Sequence, residues 1–598
     1  MPDHRVDMPS SGSRIARAGL PRRKVLQILG TLGLGSVVFR RALAARAQDA
    51  PAVTSDMIKE AEWVTGLEFT DKERELMLRG VNGALSDYEA IRAVALDNTT
   101  PPALNFLAQP AESAADPAPS APVSPIERSP ATRPASADEL AFAPVTTLAS
   151  LLKTRKLSSV ELTQIYLDRV RRYDPVLRCV ITLTEKTALE QARQADREIA
   201  AGNYRGPLHG VPWGAKDLMA FPGYRTTWGA APYKNQIRKE KAAAIERLER
   251  AGAVLLAKTS AGALAWGDVW FDATTRNPWN TNQGSSGSSA GSASATSAGL
   301  VGFSLGTETL GSIVSPSTRC GVTGLRPTFG RVSRYGCMAL SWSMDKIGAI
   351  TRSVEDCALV LAAIHGRDGR DPSTVQRPFD WPPKRDLKSL RIGFVEDQFD
   401  ESRLERIQNE RFRARMAAAL ESNRAVLDVL RAQGVRLRPI KLPDKYPVGA
   451  LSFILNAEAA AAFDDLTRSG RDEELVRQIA NAWPNSFRQA QLIPAVEYIR
   501  ANRIRTLVMR EMDELMSDID VYVCPSFGGN NLLLTNLTGH PQVCLPTGLG
   551  RDDRSPQSIC FTGKLYGESE LLTVAGAYQR ATDWHLKRPP IDAPKDES

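Results

Sequence analysis

Between residues 284 and 312 the chain concentrates hydroxyl groups and glycines, with Gly-Ser-Ser-Gly-Ser288-Ser289-Ala-Gly at the head of the run and Gly-Thr-Glu-Thr-Leu-Gly-Ser312 at its tail. A serine hydroxyl can attack a carbonyl carbon, but it is a weak nucleophile and needs a base nearby. The chain has only five histidines (His4, His209, His365, His540, His585), the first in a basic leader, so a different base is worth seeking. Lys216 is the candidate, set among apolar and glycine neighbours in Leu208-His-Gly-Val-Pro-Trp-Gly-Ala-Lys216-Asp217. A lysine removed from water there has its pKa lowered and can sit neutral, ready to take a proton. Residue types alone leave the competing reading open, a surface lysine paired with Asp217.

The elements that must position these groups are legible in outline. Capping signals at Thr70/Glu73 and Ser158/Glu161 open helical patterns, the second running through Leu162, Ile165, Tyr166 and Val170. Apolar runs at 253–257, 391–395 and 520–524 read as strands, separated by helical stretches such as 401–433, which leads into Gly434-Val-Arg-Leu437. Such alternation predicts an α/β layered architecture with a mostly buried sheet. A Gly/Ser run elsewhere would read as a flexible linker. This one lies between apolar segments, where small residues let backbone approach backbone or substrate closely. Two serines, Ser289 and Ser304, sit in G-x-S-x-G contexts, but neither has the strand before and helix after that an α/β-hydrolase elbow needs.

The blocks Gly-Ala-Lys216-Asp, Gly287-Ser288-Ser289-Ala-Gly and Gly306-Thr-Glu-Thr-Leu-Gly-Ser312-Ile, in this order, resemble the amidase signature family. Thr275-Arg-Asn-Pro-Trp-Asn280 and Cys320-Gly-Val-Thr-Gly-Leu-Arg-Pro-Thr328 add to the likeness, which covers most of 140–580 and weakens between about 440 and 515. The resemblance implies an α/β/α layered fold with a central mixed sheet covered by helices. It also implies a mechanism: Ser312 as nucleophile, Ser288 on an unusual cis peptide passing the proton, and Lys216 as base. The backbone N–H groups of Thr309, Leu310, Gly311 and Ser312 would form the oxyanion hole. Four positions depart from the family pattern. Glu308 stands for aspartate, Leu310 for glycine, Val314 for arginine, and Ala290-Gly291 for a glycine pair. Loss of that arginine argues against an acidic substrate and leaves open whether Arg319 or Arg326 partners Glu308. The segment Gly330-Arg-Val-Ser-Arg-Tyr-Gly336 with Asp345-Lys-Ile-Gly348 is similar to the glutaminase subunit of the tRNA-dependent amidotransferase, the alternative function on this fold. An esterase using an elbow serine is the other.

Bulk properties place this chemistry. The formal charge is +8, but residues 1–47 carry nine basic and two acidic side chains, so the rest is nearly neutral and has no footprint for nucleic acid. Arg22-Arg23-Lys24, the short glycine-interrupted apolar run 25–39 and Ala44-Ala-Arg-Ala47 have the layout of a twin-arginine export signal cleaved near Ala47, an uncleaved membrane anchor being the alternative. The expected organisation is export signal 1–47, helical segment 48–107, disordered Pro/Ala/Ser linker 108–137 and catalytic domain 138–598, with a periplasmic location. Seven scattered cysteines without a C-x-x-C pair point to neither a disulfide framework nor zinc, and no metal or organic cofactor is expected. The expected partner is a small-molecule amide, without nucleic acid or stable membrane insertion after cleavage, and the chain is compatible with a homodimer. Trp213, Trp228, Trp266, Trp270, Phe271 and Trp342 lie near the motifs and could line an acyl pocket, although such residues are more often core.

Overall fold

The computed structural model describes residues 53–96, 100, 102–104, 131–382, 384–405, 407–550 and 554–591. The expected export signal and most of the Pro-rich linker lie outside these. Two compact units are present, the first ending at Asn82 and the second running from Gly83. In the first, helix Ser55–Thr65 stops at Gly66 in the left-handed region. The next helix, Asp71–Arg92, starts at Thr70, whose N–H donates to Glu73 at 2.7 Å while its hydroxyl accepts from the Glu73 N–H at 3.3 Å. This reciprocal pair is the capping box read in the sequence. The C-terminal half of that helix belongs to the second unit. Within that second unit Ile91 is fully buried, Tyr88 packs edge-on against Phe453 and Arg92 pairs with Glu497 at 2.7 Å.

The described residues resume at 131, inside the stretch expected to be linker. Ala131 N–H donates to Ser150 Oγ at 3.0 Å, and Ser136 caps helix Ala137–Ala141. The body is built on thirteen strands among the described residues: β1 Val180–Leu183, β2 Pro212–Lys216, β3 Val254–Thr259, β4 Arg276–Asn277, β5 Asn280–Gly284, β6 Phe303–Glu308, β7 Thr323–Arg326, β8 Lys346–Thr351, β9 Ile392–Val395, β10 Leu437–Ile440, β11 Val521–Pro525, β12 Gln542–Leu549 and β13 Pro556–Gly563. Eleven form one sheet in the order β1-β3-β2-β6-β8-β7-β12-β13-β11-β9-β10, and β4 and β5 pair separately. The sheet is mixed, with β2 parallel to β3 and β6, and β8 antiparallel to β6. Helix 401–433 is interrupted: a short turn, Ser402–Glu405, precedes a helix over Glu410–Ala432 whose start is set by Asn409 accepting from Phe412 N–H. An asparagine side chain offers the backbone that alternative to continued helix.

Period-two alternation along the strands sends successive side chains to opposite faces. Phe303 and Leu305 of β6 and Ile347 and Ala349 of β8 enter the main core with helices Val354–Ile364 and Glu568–Arg580. Ser304 and Gly306 face the other way, toward helix Ala290–Ser297. All eight residues of that helix, Ala-Gly-Ser-Ala-Ser-Ala-Thr-Ser, are buried. Small side chains permit the close approach. A Cβ on Gly291 would stand 2.2 Å from the Cys179 carbonyl, and the hydroxyls of Ser292, Ser294 and Ser297 donate to carbonyls at 2.7–2.9 Å. The serine-rich run is a close-packed helix, and its buried polar groups are satisfied.

The region over 440–515 supplies helices Phe453–Ala462, Trp483–Ala490 and Ala495–Asp518. Trp483 stacks on Phe487 and Phe487 on Phe463, which meets Trp228, and these rings share one hydrophobic cluster with Leu218 and Leu340.

Candidate active site

Parallel strands β2 and β6 end side by side, and their C-terminal ends deliver Lys216 and Glu308 to the same edge of the sheet. Lys216 is fully buried. Its Nζ lies 2.8 Å from Ser288 Oγ, 3.1 Å from Ser289 Oγ and 2.8 Å from Thr307 Oγ1. Every close partner is a neutral oxygen. The adjacent Asp217 is turned away and pairs with Lys258 at 2.6 Å, both side chains fully buried, while also accepting from the Thr227 N–H. That arrangement removes the surface-pair reading of Lys216. Burial pushes its ammonium from the ordinary 10.5 down to about 7, opposed only in part by Cys337, Asp345 and Glu308. The amine therefore exchanges its proton near neutral pH.

Ser288 enters on a cis Gly287–Ser288 peptide and is 1% exposed. The Ser289 N–H donates to the Ser312 carbonyl at 3.1 Å, which ties the Ser288–Ser289 turn to the segment carrying Ser312. Ser289 itself is bound up. Its hydroxyl donates to the Thr307 carbonyl at 3.0 Å and accepts from the Thr307 N–H at 3.1 Å. Ser304, the other elbow serine, lies inside β6 with its hydroxyl accepting from Thr296. Neither stands where an elbow nucleophile would.

Ser312 follows Gly311, which adopts φ +86°, and precedes helix Val314–Cys320. Leu532 would lie 3.1 Å from a Cβ at that glycine. A helix start leaves orphan N–H groups. Glu308 takes the two nearest the helix, accepting from Ile313 N–H at 2.8 Å and Val314 N–H at 3.0 Å. The N–H groups of Leu310, Gly311 and Ser312 donate to no other described residue. Glu308 is paired with Arg326 at 2.7 Å and with Asn536 at 3.0 Å. Arg319 goes to Gln283 instead, so Arg326 is the partner that the sequence left open. Burial opposes the charge on Glu308, but Arg326, the two N–H groups and Asn536 outweigh it and bring the carboxyl down to about 2. Thr309, next to the oxyanion segment, donates through its hydroxyl to Asp345 at 2.6 Å.

The structure thus joins Lys216 to Ser288 directly and brings Ser312 to the same turn through backbone. The four described histidines serve elsewhere. His209 pairs with Glu198 at 3.1 Å, His540 bonds Thr538 at 2.8 Å, His365 is edge-on to Phe379, and His585 lies in the C-terminal turn Trp584–Leu586. Among residues given no role from the sequence, Thr307, Lys258, Asn536 and Asp345 each touch this constellation. Thr307 and Asp345 sit in motifs already noted, whereas Lys258 and Asn536 come from segments that gave no signal. Among the described residues no cluster of three or more His, Cys, Asp or Glu could hold a metal, all seven cysteines are free thiols, and no helix is long and apolar enough to cross a membrane.

The family model described as Amidase matches residues 161–543. The chain belongs to the amidase family. This amidase, a hydrolase acting on amide C–N bonds, is 34% identical over 484 residues to a glutamyl-tRNA(Gln) amidotransferase subunit from Roseiflexus sp. (strain RS-1), covering 73% of this chain and 96% of that one. Among solved structures it is similar to native peptide amidase from Stenotrophomonas maltophilia, with TM-score 0.64, 29% identity and coverage of 76% and 99% of the two chains. An amidase family protein from Bacillus anthracis str. Ames aligns with TM-score 0.66, 25% identity and coverage of 76% and 93%. The amidase reading of the motifs and the layered α/β fold both hold.

Proposed function

We propose that this amidase cleaves a small carboxamide through an acyl-enzyme on Ser312. The Ser312 oxygen attacks the carbonyl carbon while its proton passes through Ser288 to neutral Lys216. The resulting oxyanion is held by the backbone N–H groups of Thr309, Leu310, Gly311 and Ser312. The C–N bond then breaks, and the relayed proton goes to the departing nitrogen, which lets a poor leaving group go. Water, deprotonated by the same relay, attacks the ester and releases the acid. The observation that carries this reading is Lys216: it is buried, 2.8 Å from Ser288 Oγ, and its would-be carboxylate partner Asp217 is committed to Lys258. The experiment is turnover of a panel of aliphatic, aryl and peptide amides by the wild type and by Ser312→Ala. Activity confined to the wild type supports the assignment, and undiminished activity in the variant refutes it.

The substrate proposed is uncharged at the acyl side. Val314 is buried at the start of the nucleophile's helix beside Cys544 and Leu532, and the neighbouring Thr318, Ser526 and Ser558 hydroxyls bond one another at 2.7 Å. The leader supports an exported, periplasmic enzyme processed near Ala47. Sequencing the mature N-terminus from fractionated cells tests this, full-length cytosolic protein being the contrary result. A second reading, one component of a tRNA-dependent amidotransferase, is favoured by the name of the relative above. The twin-arginine-like leader and Val314 weigh against it. Copurification of partner subunits with the cytosolic chain would establish it in place of the exported enzyme.

A further inference from the structure

Attack at Ser312 fixes the carbonyl carbon but leaves open what the rest of the substrate meets. Of the six aromatic residues near the motifs, Trp213 and Trp270 are buried and Trp228, Trp266 and Phe271 are half-buried, whereas Trp342 is 53% exposed. Its backbone, in contrast, is held on every side. Leu340 and Ser341 N–H groups donate to Asp345 at 2.8 and 2.9 Å, and Asp345 N–H returns to the Ser341 carbonyl at 3.0 Å. Buried Glu458 accepts from the Ser341 hydroxyl, the Ser343 hydroxyl and the Ser343 N–H at 2.6, 2.6 and 3.0 Å. Arg505 donates to the Ser343 carbonyl at 2.8 Å, and Arg334 donates to the carbonyl of Trp342 itself at 2.7 Å.

The place of this turn matters as much as its rigidity. Asp345, which closes it, accepts from Thr309 Oγ1 at 2.6 Å, so the turn abuts the oxyanion segment. Three residues of chain keep the Trp342 Cα within about 11 Å of that of Asp345. Leu532 flanks the same segment on the side of Gly311. An aromatic ring left in water on an immobilised backbone offers a large contact area with little left to order on binding.

We propose that Trp342 is a specificity-determining residue of this amidase, a fixed platform for an apolar or aromatic portion of the amide substrate. The inference rests on Ser312 being the nucleophile, and the test separates the two. Wild type, Trp342→Ala and Trp342→Phe are labelled with a methyl and a benzyl fluorophosphonate, second-order rates are measured, and the modified peptide is identified by mass spectrometry. The expected result is label on Ser312, with the benzyl rate falling at least about tenfold in Trp342→Ala and largely restored in Trp342→Phe, while the methyl rate stays within about twofold. Parallel loss of both rates would make Trp342 a scaffold residue, and unchanged rates would mean the ring meets no substrate; either overturns the proposal while leaving Ser312 in place. Label on another serine overturns the nucleophile assignment and the platform with it.

Discussion

Replacing Glu308 by glutamine tests how the oxyanion segment is held. The carboxylate accepts four hydrogen bonds, two from the Ile313 and Val314 N–H groups on one oxygen and two from Arg326 and Asn536 on the other. A glutamine can keep one pair, but its NH2 must then face two donors, and Arg326 is left as a buried cation without a counter-charge. Breaking one partner of a buried pair costs about 3–5 kcal/mol. The titration of the group gives a similar figure. Holding the carboxyl at about 2 against its ordinary 4.5 corresponds to roughly 3 kcal/mol, at about 1.4 kcal/mol per pH unit. The folded pKa is the lower one, so this stabilisation is present above about pH 4.5 and is lost as pH falls toward 2. Glu308→Gln should therefore lose about 3 kcal/mol at pH 7 in urea unfolding followed by fluorescence, with a reduced difference from wild type toward pH 3. Because the same carboxylate fixes the N–H groups beside Ser312, kcat of the folded variant should fall about tenfold to a hundredfold. A variant as stable as wild type with unchanged kcat would refute this account of Glu308.

Lys216→Ala should reduce acylation by several orders of magnitude while preserving the fold, and wild-type kcat/KM should rise with pH through an apparent pKa of about 7 as the lysine loses its proton; a profile that persists in the variant would remove lysine from the mechanism. Gly291→Ala should yield little soluble protein, since its Cβ would stand 2.2 Å from the Cys179 carbonyl and 2.4 Å from the Ser260 nitrogen, and a wild-type melting temperature would contradict the packing described for helix Ala290–Ser297.

Local signals carried much of the reading. The caps at Thr70 and Ser158, the strand at 254–259 and the three motif blocks are short-range patterns, so the chain showed them directly. Lys216 and Ser288, 72 residues apart, could be placed together only through resemblance, and the structure puts them 2.8 Å apart. What the sequence withheld depends on tertiary pairing. Whether Lys216 or Lys258 takes Asp217 is decided by parallel register, because Ala215 faces Lys258 across β2 and β3. Arg326 rather than Arg319 reaches Glu308 because β7 returns beside β8, itself the neighbour of β6, while Arg319 points from its helix toward solvent. Glu458 lies in a segment where likeness to the family fades, and no pattern linked it to the turn at Trp342. A Pro/Ala/Ser composition likewise says nothing of single bonds such as Ala131 to Ser150.

The central claim is that the acyl group passes through Ser312. Wild-type enzyme acid-quenched during turnover of an activated anilide and digested for peptide mass spectrometry should carry the acyl mass on Ser312, with none in Ser312→Ala and strongly reduced loading in Lys216→Ala. An acyl group on Ser289 or Ser304, or turnover that continues in Ser312→Ala, would contradict it.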